Sequence, residues 1–250
     1  MDPLYRAVVG GARTMFFAQG TKFTMLGEEH VPRSGGAVMP INHTGYLDFM
    51  YAGLAARKHG RYVRFMAKKS VFGHKVTGPL MRGMRHIPVD RQSGQGSFNA
   101  AVAALRAGEI VGVFPEATMS RAFELKQFKL GAVRMAQEAG VPLLPTTLWG
   151  SQKVWSKNTP KHMRRDKVAI HVTVGAPIWV GAQDDPIAVN VQLRAVMQAQ
   201  LDAQQAAYGP FEGEDAIFQP ARLGGRAPTM DEAAAQDHHD MTRTRDKFTG

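Results

Sequence analysis

The residue types best suited to chemistry lie in the stretch INHTGYLDFMY, residues 41–51. His43 and Asp48 stand five positions apart there, and on a single helix that spacing would turn the two side chains about 140° apart. A turn over Thr44 and Gly45 would instead let the carboxylate accept a hydrogen bond from one imidazole nitrogen. The second nitrogen would then be free to take a proton from an alcohol. The pair therefore predicts a general base and the carboxylate that orients it.

The histidine–carboxylate pair alone leaves a second interpretation open, in which a partly buried histidine only caps the turn. The sequence supplies no nucleophile to complete a triad, because it has no cysteine and no G-x-S-x-G elbow. It also lacks a P-loop and an H-E-x-x-H metal motif. If His43 is a base, we therefore expect it to activate a hydroxyl of the substrate.

Further segments carry reactive side chains at the expected ends of strands. GMRHIPVDR, residues 83–91, ends in Arg91, whose guanidinium can clamp an oxyanion through two hydrogen bonds or can form a surface salt bridge. In VFPEATMSRAF, residues 113–123, Glu116 can contact a substrate or can cap the backbone amides of a turn. In VPLLPTT, residues 141–147, prolines shape the entry into a strand. The other polar side chains singled out in the segment after Val113 are Thr118 and Arg121.

In this order, the four segments resemble the motifs of the 1-acylglycerol-3-phosphate O-acyltransferase family, the PlsC-like glycerolipid acyltransferases. Two positions depart from the pattern, since Ala117 stands where the family has glycine and Met119 where it has an arginine that helps to hold the acceptor's phosphate. The resemblance covers residues 20–205. The matching positions, block by block, are Asn42, His43 and Asp48; Gly83, Ile87, Val89 and Arg91; Phe114, Pro115, Glu116, Thr118 and Ser120; and Val141, Pro142 and Pro145.

The resemblance implies transfer of a fatty acyl group from a thioester, acyl-CoA or acyl-carrier protein, to the free hydroxyl of lysophosphatidic acid, giving phosphatidic acid for phospholipid biosynthesis. His43 would deprotonate that hydroxyl and Asp48 would orient the imidazole, with no metal and no cofactor besides the acyl donor. The positions implied to bind the acceptor are Lys68, Arg91, Glu116, Ala117, Thr118 and Arg121. Those implied for the acyl-donor region are Val141, Pro142 and Pro145.

Two rival functions stay open beside lysophosphatidic acid acylation. The departures at Ala117 and Met119 also suit an acyltransferase for another lyso-phospholipid or for a glycolipid hydroxyl. A non-catalytic lipid-surface module is the other rival. The presence of His43, Asp48 and Glu116 together argues against that module.

Strand-like and helix-like segments alternate along the chain. This order predicts an α/β fold: a single domain with a central, largely parallel mixed sheet flanked by helices, plus a short N-terminal amphipathic helix. Ligand sites in such sheets gather at the carboxyl ends of strands, where we expect His43 and Glu116. Ser97 is expected to cap the helix that follows it. The expected division is residues 1–20 for the amphipathic helix, 21–211 for the acyltransferase domain and 212–250 for a polar, flexible tail.

The formal net charge of +10 is unevenly distributed. Residues 212–250 carry eight Asp or Glu and five Lys or Arg, a net −3, which leaves +13 on residues 1–211. A basic body suits phosphate-rich partners, namely an anionic membrane surface, phosphorylated small molecules or nucleic acid. The sequence carries no nucleic-acid-binding motif, so we expect no nucleic-acid partner.

A lipid acceptor predicts docking at a membrane surface. The sequence has no apolar run of the roughly 18 residues that a transmembrane helix needs, and its N-terminus lacks a signal-peptide pattern. We therefore expect peripheral association with the cytoplasmic face of an anionic membrane. The predicted contacts are the amphipathic segment 1–20 and the loop 149–167. Two other interpretations of the loop stay open, namely binding of CoA phosphates and plain solvation. The loop's predicted membrane or CoA contacts are Trp149, Trp155, Lys153, Lys157, Arg164 and Arg165.

Overall fold

Short strands and helices alternate along residues 2–90 and 94–249, which are the residues that the computed structural model describes. The strands are β1 Lys22–Leu26, β2 Ala37–Pro40, β3 Val63–Lys68, β4 Ile87–Val89, β5 Ile110–Val113, β6 Thr146–Trp149 and β7 Ala169–Val174. The α-helices are α1 Pro3–Gln19, α2 Asp48–Ala55, α3 Lys69–Phe72, α4 Thr77–Gly83, α5 Gly94–Arg106, α6 Gly131–Ala139, α7 Ser151–Val154, α8 Pro186–Tyr208 and α9 Met230–Thr249. Short 3₁₀ helices cover Glu28–His30, Ala56–His59, Gly213–Phe218 and Ala221–Leu223.

The strands of the described residues form two sheets. One has the order β2–β5–β3–β4 with every neighbouring pair parallel. The other has the order β1–β7–β6, in which β1 pairs parallel and β6 antiparallel with β7. Parallel bridges from Val38 to Leu143 and from Ile41 to Thr146 join the two sheets. The predicted single-domain α/β class is confirmed, and the predicted mixed sheet takes the form of two sheets that meet between β2 and β6.

Helices flank the sheets and fix the elements that carry the site. β2 and β6 are buried along their whole length, which is typical of strands covered on both faces. Leu193 of α8 and Val133 of α6 belong to one hydrophobic core. Phe16 of α1 and Tyr51 of α2 belong to the other. Because α2 packs against β6 and β7, the position of its first residue, Asp48, is fixed relative to the strands.

The carboxyl ends of the four parallel strands meet at one edge, where ligand sites of α/β sheets form. His43 follows β2, Glu116 follows β5 and Lys68 ends β3. Asp90 follows β4. Arg91, the next residue, lies outside the described residues, so its predicted role stays a prediction.

The helix α1 is the expected N-terminal helix, and it packs against the domain. The Asp2 side chain caps its first turn by accepting from a backbone N–H. The Tyr5 hydroxyl donates to the Val63 carbonyl at 2.7 Å, and Phe16 is buried. The neighbouring Phe17 is 85% exposed, so α1 carries apolar side chains both on the side that packs against the domain and on the side that faces solvent. Among the helices of the described residues, none has both the length and the apolar character required to cross a bilayer.

The expected helix cap at Ser97 is wrong, because α5 begins at Gly94 and Ser97 lies within its first turn. The serine hydroxyl donates to the Pro88 carbonyl at 2.9 Å and accepts from the Asp90 N–H at 3.2 Å. The side chain therefore ties α5 to the end of β4 instead of satisfying amides of its own helix.

The C-terminal segment, expected to be a flexible polar tail over 212–250, folds onto the domain as 3₁₀ helices and α9. Phe218 is 1% exposed and packs against Phe211, with ring centroids 6.2 Å apart. Ala227 and Ala233 are also buried. The segment has few such apolar anchors, and its overall composition is polar. The sequence pattern therefore predicts a tail.

Candidate active site

His43 and Asp48 are in contact across the turn that the sequence predicts. The Nδ1 atom of His43 lies 2.9 Å from Oδ2 of Asp48. The carboxylate is fully buried, whereas 22% of the imidazole side chain is exposed. Because an ionised carboxylate only accepts hydrogen bonds, Nδ1 carries the proton and Nε2 is the basic nitrogen of the neutral ring. No group in the described ranges 2–90 and 94–249 hydrogen-bonds to Nε2.

Backbone amides of the turn hold the carboxylate in place. The N–H groups of Thr44 and Gly45 donate to Oδ2 of Asp48 at 2.7 and 2.8 Å. Gly45 is required by space, since a Cβ there would lie 2.9 Å from the Ser151 carbonyl oxygen and 3.1 Å from Oδ1 of Asp48. The turn therefore fixes the carboxylate against both the imidazole and the start of α7.

Asn42 anchors the chain immediately before His43. Its buried amide donates from Nδ2 to the Leu148 carbonyl at 3.0 Å and accepts at Oδ1 from the Leu148 N–H at 2.7 Å. The side chain thus continues the pairing of β2 with β6 beyond the bridge between Ile41 and Thr146. Through this clamp, the register of the two strands sets the position of His43.

The loop after β5 holds His43 from the other side. The Phe114 ring stacks on the imidazole, with centroids 4.1 Å apart and planes inclined by 25°. The Ser120 N–H donates to the His43 carbonyl at 2.7 Å. The imidazole plane and its backbone are therefore both set by residues that follow the neighbouring strand.

Glu116 is buried and accepts hydrogen bonds from two backbone amides. Its Oε1 accepts from the His43 N–H at 2.9 Å and its Oε2 from the Lys126 N–H at 3.2 Å. Burial raises the pKa of this carboxyl to about 8, although the two N–H groups and the Lys126 charge act to lower it. Of the two interpretations that the sequence leaves open, the contacts match the amide cap, and a direct contact of Glu116 with substrate stays a prediction.

The residues that depart from the family motif have different environments. Ala117 has a φ of 61°, in the left-handed region that favours glycine, so the family's glycine suits this backbone. Met119 is 4% exposed, and its apolar side chain offers no charge to a ligand. The Thr118 hydroxyl accepts from Nζ of Lys126 at 2.7 Å.

Arg121 is ion-paired with α9, and its predicted contact with the acceptor stays a prediction. Its Nε donates to Oδ1 of Asp237 at 3.0 Å, and its guanidinium also pairs with Asp240. Nζ of Lys126 donates to Oδ2 of Asp237 at 2.6 Å, and Nζ of Lys157 lies 3.5 Å from Oδ1. Burial acts to raise the pKa of Asp237, but the hydrogen bonds from Lys126 and Arg121 and the lysine charges outweigh it, so the pKa is lowered.

Lys68 stands at the same sheet edge as His43, with an exposed side chain. The adjacent Lys69 pairs with Asp90 through an Nζ–Oδ2 distance of 2.9 Å. The end of β3 therefore presents the Lys68 ammonium to any anion that approaches this edge. The predicted contact of Lys68 with the acceptor stays a prediction.

The positions predicted for the acyl-donor region lie in strand pairing. The Pro142 carbonyl accepts from the Val38 N–H at 3.0 Å, near the amino end of β2. Val141 is buried beside it, and Pro145 directly precedes β6. At about 3.3 Å per residue, the strand rise from Val38 to His43 is roughly 16 Å. The structure thus places Val141 and Pro142 away from the imidazole, and their donor role stays a prediction.

The membrane or CoA contact predicted at Trp149 is wrong, because its side chain is buried. The indole is 1% exposed and packs against Phe211, with ring centroids 6.0 Å apart. Trp155 is partly exposed, and Nζ of Lys161 lies 4.3 Å from its ring centroid. Only the second tryptophan therefore reaches the surface of the loop.

The basic side chains of the same loop differ in their partners. Lys153 pairs with Asp215, and Lys157 pairs with α9. Arg164 and Arg165 are exposed. The two arginines therefore keep the predicted availability to an external anion, whereas the two lysines neutralise carboxylates of the C-terminal segment.

Sequence reasoning assigned no role to several residues that build the site. Lys126 has no periodic or motif signal, although it follows the FPEATMS block closely. Asp237 lies 111 residues beyond Lys126, and no local pattern links the two. Asn42 and Phe114 match positions of the family motifs, so the motifs indicate that these two residues belong to the site. In the described part of the chain, no group of three His, Asp or Glu side chains converges as a metal site would require.

Comparison with known proteins points to one family. The model of the family described as "Acyltransferase" matches residues 22–149, about half of the chain. The 1-acyl-sn-glycerol-3-phosphate acyltransferase of Bacillus subtilis (strain 168) is 34% identical over 124 residues, which are 49% of this chain and 60% of that protein. The chloroplastic 1-acyl-sn-glycerol-3-phosphate acyltransferase LPAT1 of Arabidopsis thaliana is 31% identical over 137 residues, which are 53% of this chain and 37% of that protein.

The fold also has a solved counterpart. The crystal structure of the 1-acyl-sn-glycerophosphate (LPA) acyltransferase PlsC from Thermotoga maritima superposes with a TM-score of 0.63 and 18% identity, covering 78% of this chain and 76% of that one. At this identity the likeness concerns the fold. The matched region spans 60% of the Bacillus relative and 56% of a Borreliella burgdorferi relative of the same name, so less than two thirds of each relative's length is aligned.

Proposed function

Because the chain belongs to the acyltransferase family, we propose that it transfers a fatty acyl group from a thioester donor to the free hydroxyl of lysophosphatidic acid, giving phosphatidic acid. The matched relatives are named for 1-acyl-sn-glycerol-3-phosphate as acceptor. The 2.9 Å contact between Nδ1 of His43 and Oδ2 of Asp48 carries this proposal, because it leaves Nε2 basic. Among the described residues, no side-chain hydroxyl or amine hydrogen-bonds to Nε2, and a base in this position suits attack by a substrate hydroxyl.

The chemistry follows from the two ring nitrogens. Nε2 of His43 takes the proton of the acceptor hydroxyl as its oxygen attacks the thioester carbonyl, and a tetrahedral oxyanion forms. Collapse of this intermediate forms the ester and breaks the C–S bond. The proton on Nε2 then passes to the departing thiolate, which leaves as a thiol. Asp48 stabilises the imidazolium while the proton resides there, and the enzyme forms no covalent intermediate.

The proposed donor is acyl-CoA or acyl-carrier protein, and no other cofactor takes part. The proposed acceptor contacts are Lys68, Arg91 and Arg121, whose charges suit a phosphate. Met119 is buried and apolar where the family motif has an arginine, which favours a second candidate function. In that case the enzyme acylates another lyso-phospholipid or a glycolipid hydroxyl.

We further propose peripheral docking on an anionic membrane. Phe17 of α1 is 85% exposed, and its neighbour Gln19 accepts at its carbonyl from the Lys167 N–H at 3.1 Å. The end of α1 therefore adjoins the basic end of the loop 149–167, where Arg164 and Arg165 are exposed. An apolar side chain beside several cations fits a headgroup layer, where each cation contributes about 1 kcal/mol.

The proposed reaction is tested by mass spectrometry of the products. The enzyme is offered lysophosphatidic acid, other lyso-phospholipids and glycerol phosphate, each with mixed acyl-CoAs. We expect phosphatidic acid from the first acceptor, and we expect His43→Ala to lower kcat by about 10²–10⁴-fold. A folded His43→Ala enzyme with wild-type turnover would refute the mechanism. An acylated product other than phosphatidic acid would instead identify a different lipid as the acceptor.

The matched control for His43→Ala is His59→Ala. His59 precedes β3, at the sheet edge opposite to the carboxyl ends, and its contact is with the Glu28 carbonyl at 3.1 Å. We expect this variant to keep turnover within about twofold of wild type, since surface substitutions away from special features have small effects. Loss of turnover in both variants to the same extent would indicate a general effect of losing histidine.

A further inference from the structure

Three cations converge on one carboxylate of α9. Asp237 receives hydrogen bonds from Arg121 at 3.0 Å and from Lys126 at 2.6 Å, and Lys157 lies 3.5 Å away. We call Arg121, Lys126 and Lys157 the cation cluster. The Arg121 side chain is 5% exposed and that of Asp237 13%, so the contact is largely shielded from water.

The cation cluster is held by the same segment that holds the base. Arg121 directly follows Ser120, whose N–H donates to the His43 carbonyl at 2.7 Å. The Lys126 N–H donates to Glu116, which in turn accepts from the His43 N–H. The cluster is therefore attached to the active-site backbone on both sides of the loop.

Elements other than α9 hold Lys126 of the cation cluster. Arg194 of α8 donates to the carbonyls of Leu125 and Lys126 at 2.9 and 3.1 Å. The Lys126 ammonium also donates to the Thr118 hydroxyl at 2.7 Å. The loop at Lys126 is thus supported from within the domain, and these contacts do not depend on α9.

In the part of α9 whose side chains the structure describes up to Asp240, little apolar surface is buried against the domain. Between Met230 and Asp240, Ala233 is the one buried residue and Asp237, one turn further, is half-buried. The helix also has its own start signal, since the Thr229 hydroxyl accepts from the Glu232 N–H and the Glu232 carboxylate accepts from the Thr229 N–H. A helix with few buried apolar contacts and its own capping box can leave the surface as a unit.

Departure of α9 takes two carboxylates away from the cation cluster. Three cations close together repel one another when no counter-ion is present, so binding of an anion stabilises the state in which α9 has left. A phosphate monoester carries a charge of about −1.5 to −2 and three acceptor oxygens, which suits a guanidinium and two ammonium groups. It therefore matches the charge of the two α9 carboxylates, Asp237 and Asp240, that contact Arg121.

We propose that α9 is an autoinhibitory strap whose Asp237 occupies an anion site for the phosphate monoester of the acceptor. Strap and acceptor then compete for the cation cluster, and the apparent affinity for the acceptor falls with the fraction of molecules in which the strap is bound. This inference rests on the proposed function for the identity of the acceptor, whereas the displacement of α9 by phosphate does not require catalysis.

The displacement is measured on the full chain with inorganic phosphate as the probe. Hydrogen–deuterium exchange of the backbone amides at 230–240 is followed as phosphate is added, with lysophosphatidic acid vesicles in a parallel series. We expect both to accelerate exchange in α9. Acceleration by the lipid alone also supports the strap and restricts its ligand to a phosphate headgroup, and unchanged exchange in both series overturns it.

The kinetic consequence is measured with Asp237→Asn. Removing this charge takes away charge-assisted hydrogen bonds, so we expect the acceptor KM to fall about tenfold while the KM for acyl-CoA stays unchanged. Asp231→Asn, on an exposed position of the same helix, is the matched control and should behave as wild type. An unchanged acceptor KM in an active Asp237→Asn enzyme overturns the strap.

A second variant covers the case in which Asp237→Asn fails to fold. Ala233→Asp places a charge at the buried anchor of α9 and leaves the cation cluster intact. We expect it to release the helix and to lower the acceptor KM in the same way. Phosphate-driven release of α9 in a chain that acylates no lipid would refute the proposed function and leave the anion site in place.

Discussion

At the scale of single residues, Asp48 can orient the imidazole only while its Oδ2 stays within hydrogen-bond distance of Nδ1. That distance, 2.9 Å, depends on the amides of Thr44 and Gly45, which donate to the same oxygen. It also depends on the missing side chain of Gly45, because a Cβ there would touch Oδ1 of Asp48 and the Ser151 carbonyl. The glycine of the motif therefore positions the carboxylate against the imidazole of His43, the proposed base.

We predict that Gly45→Ala lowers kcat by about 100-fold, because displacement of a catalytic group by about 1 Å has an effect of this size. Steady-state kinetics should show little change in the KM for acyl-CoA, since the substitution moves the carboxylate and adds nothing at the surface. Gly53→Ala is the matched control on α2, where the added Cβ meets Phe65 at an ordinary 3.5 Å. Equal kcat values for the two variants would contradict the positioning role.

At the scale of elements, the site depends on the place where β2 and β6 come together. The buried amide of Asn42 bonds both the N–H and the carbonyl of Leu148, so it acts as one more pair in the strand ladder. Because the carbonyl and N–H of Leu148 are inside the protein, water cannot replace a lost partner. The clamp therefore links the stability of the sheet junction to the position of the next residue, His43.

We predict that Asn42→Ala lowers the free energy of unfolding by about 2–4 kcal/mol, since it leaves two buried backbone groups without partners. Chemical denaturation gives this value directly. Asn99→Ala is the control, because Asn99 is exposed on α5 and accepts one hydrogen bond from Gln95 at 2.8 Å. We expect that variant to change stability by about 0.5 kcal/mol or less. Similar losses in both variants would show that the clamp adds nothing beyond a surface amide.

The sequence allowed prediction of the local parts of this arrangement. His43 and Asp48 are only five positions apart, and the strand–helix alternation fixes the edge where Glu116 lies. Contacts between distant segments had no such signal. The pairing of Lys126 with Asp237 depends on how α9 returns to the domain, and the burial of Trp149 depends on packing against Phe211. Both are properties of tertiary packing, which local periodicity and composition do not encode.

At the scale of the whole molecule, folding brings opposite charges together. Residues 1–211 have a net charge of +13 and residues 212–250 a net charge of −3, and the structure pairs carboxylates of the second part with cations of the first. At Glu116, by contrast, burial disfavours the charged form and raises the pKa of the carboxyl to about 8. The free energy of unfolding must therefore depend on pH through Glu116, because the pKa of this carboxyl differs between the folded and the unfolded chain.

The sign of that dependence follows from proton binding. In the unfolded chain Glu116 loses its proton near its ordinary pKa of 4.5, whereas in the folded protein it keeps the proton up to about pH 8. The favourable contribution of this group is thus complete below pH 4.5 and is lost as the pH rises to 8. His86 acts oppositely, because burial lowers its pKa to about 4 and stability is lost as the pH falls from 6.5.

We predict that the stability of the wild type relative to Glu116→Gln falls between pH 5 and pH 8, by at most about 1.4 kcal/mol for each pH unit. Taking the difference between the two proteins cancels the contribution of His86, which both contain. Denaturation in urea at each pH measures it, with Glu138→Gln as control because that carboxylate is 55% exposed and pairs only with Arg106 among the described residues. If the free energies of unfolding of the wild type and of Glu116→Gln change with pH in parallel across this range, Glu116 is ionised in the folded protein. The two amide hydrogen bonds would then lower its pKa by more than burial raises it.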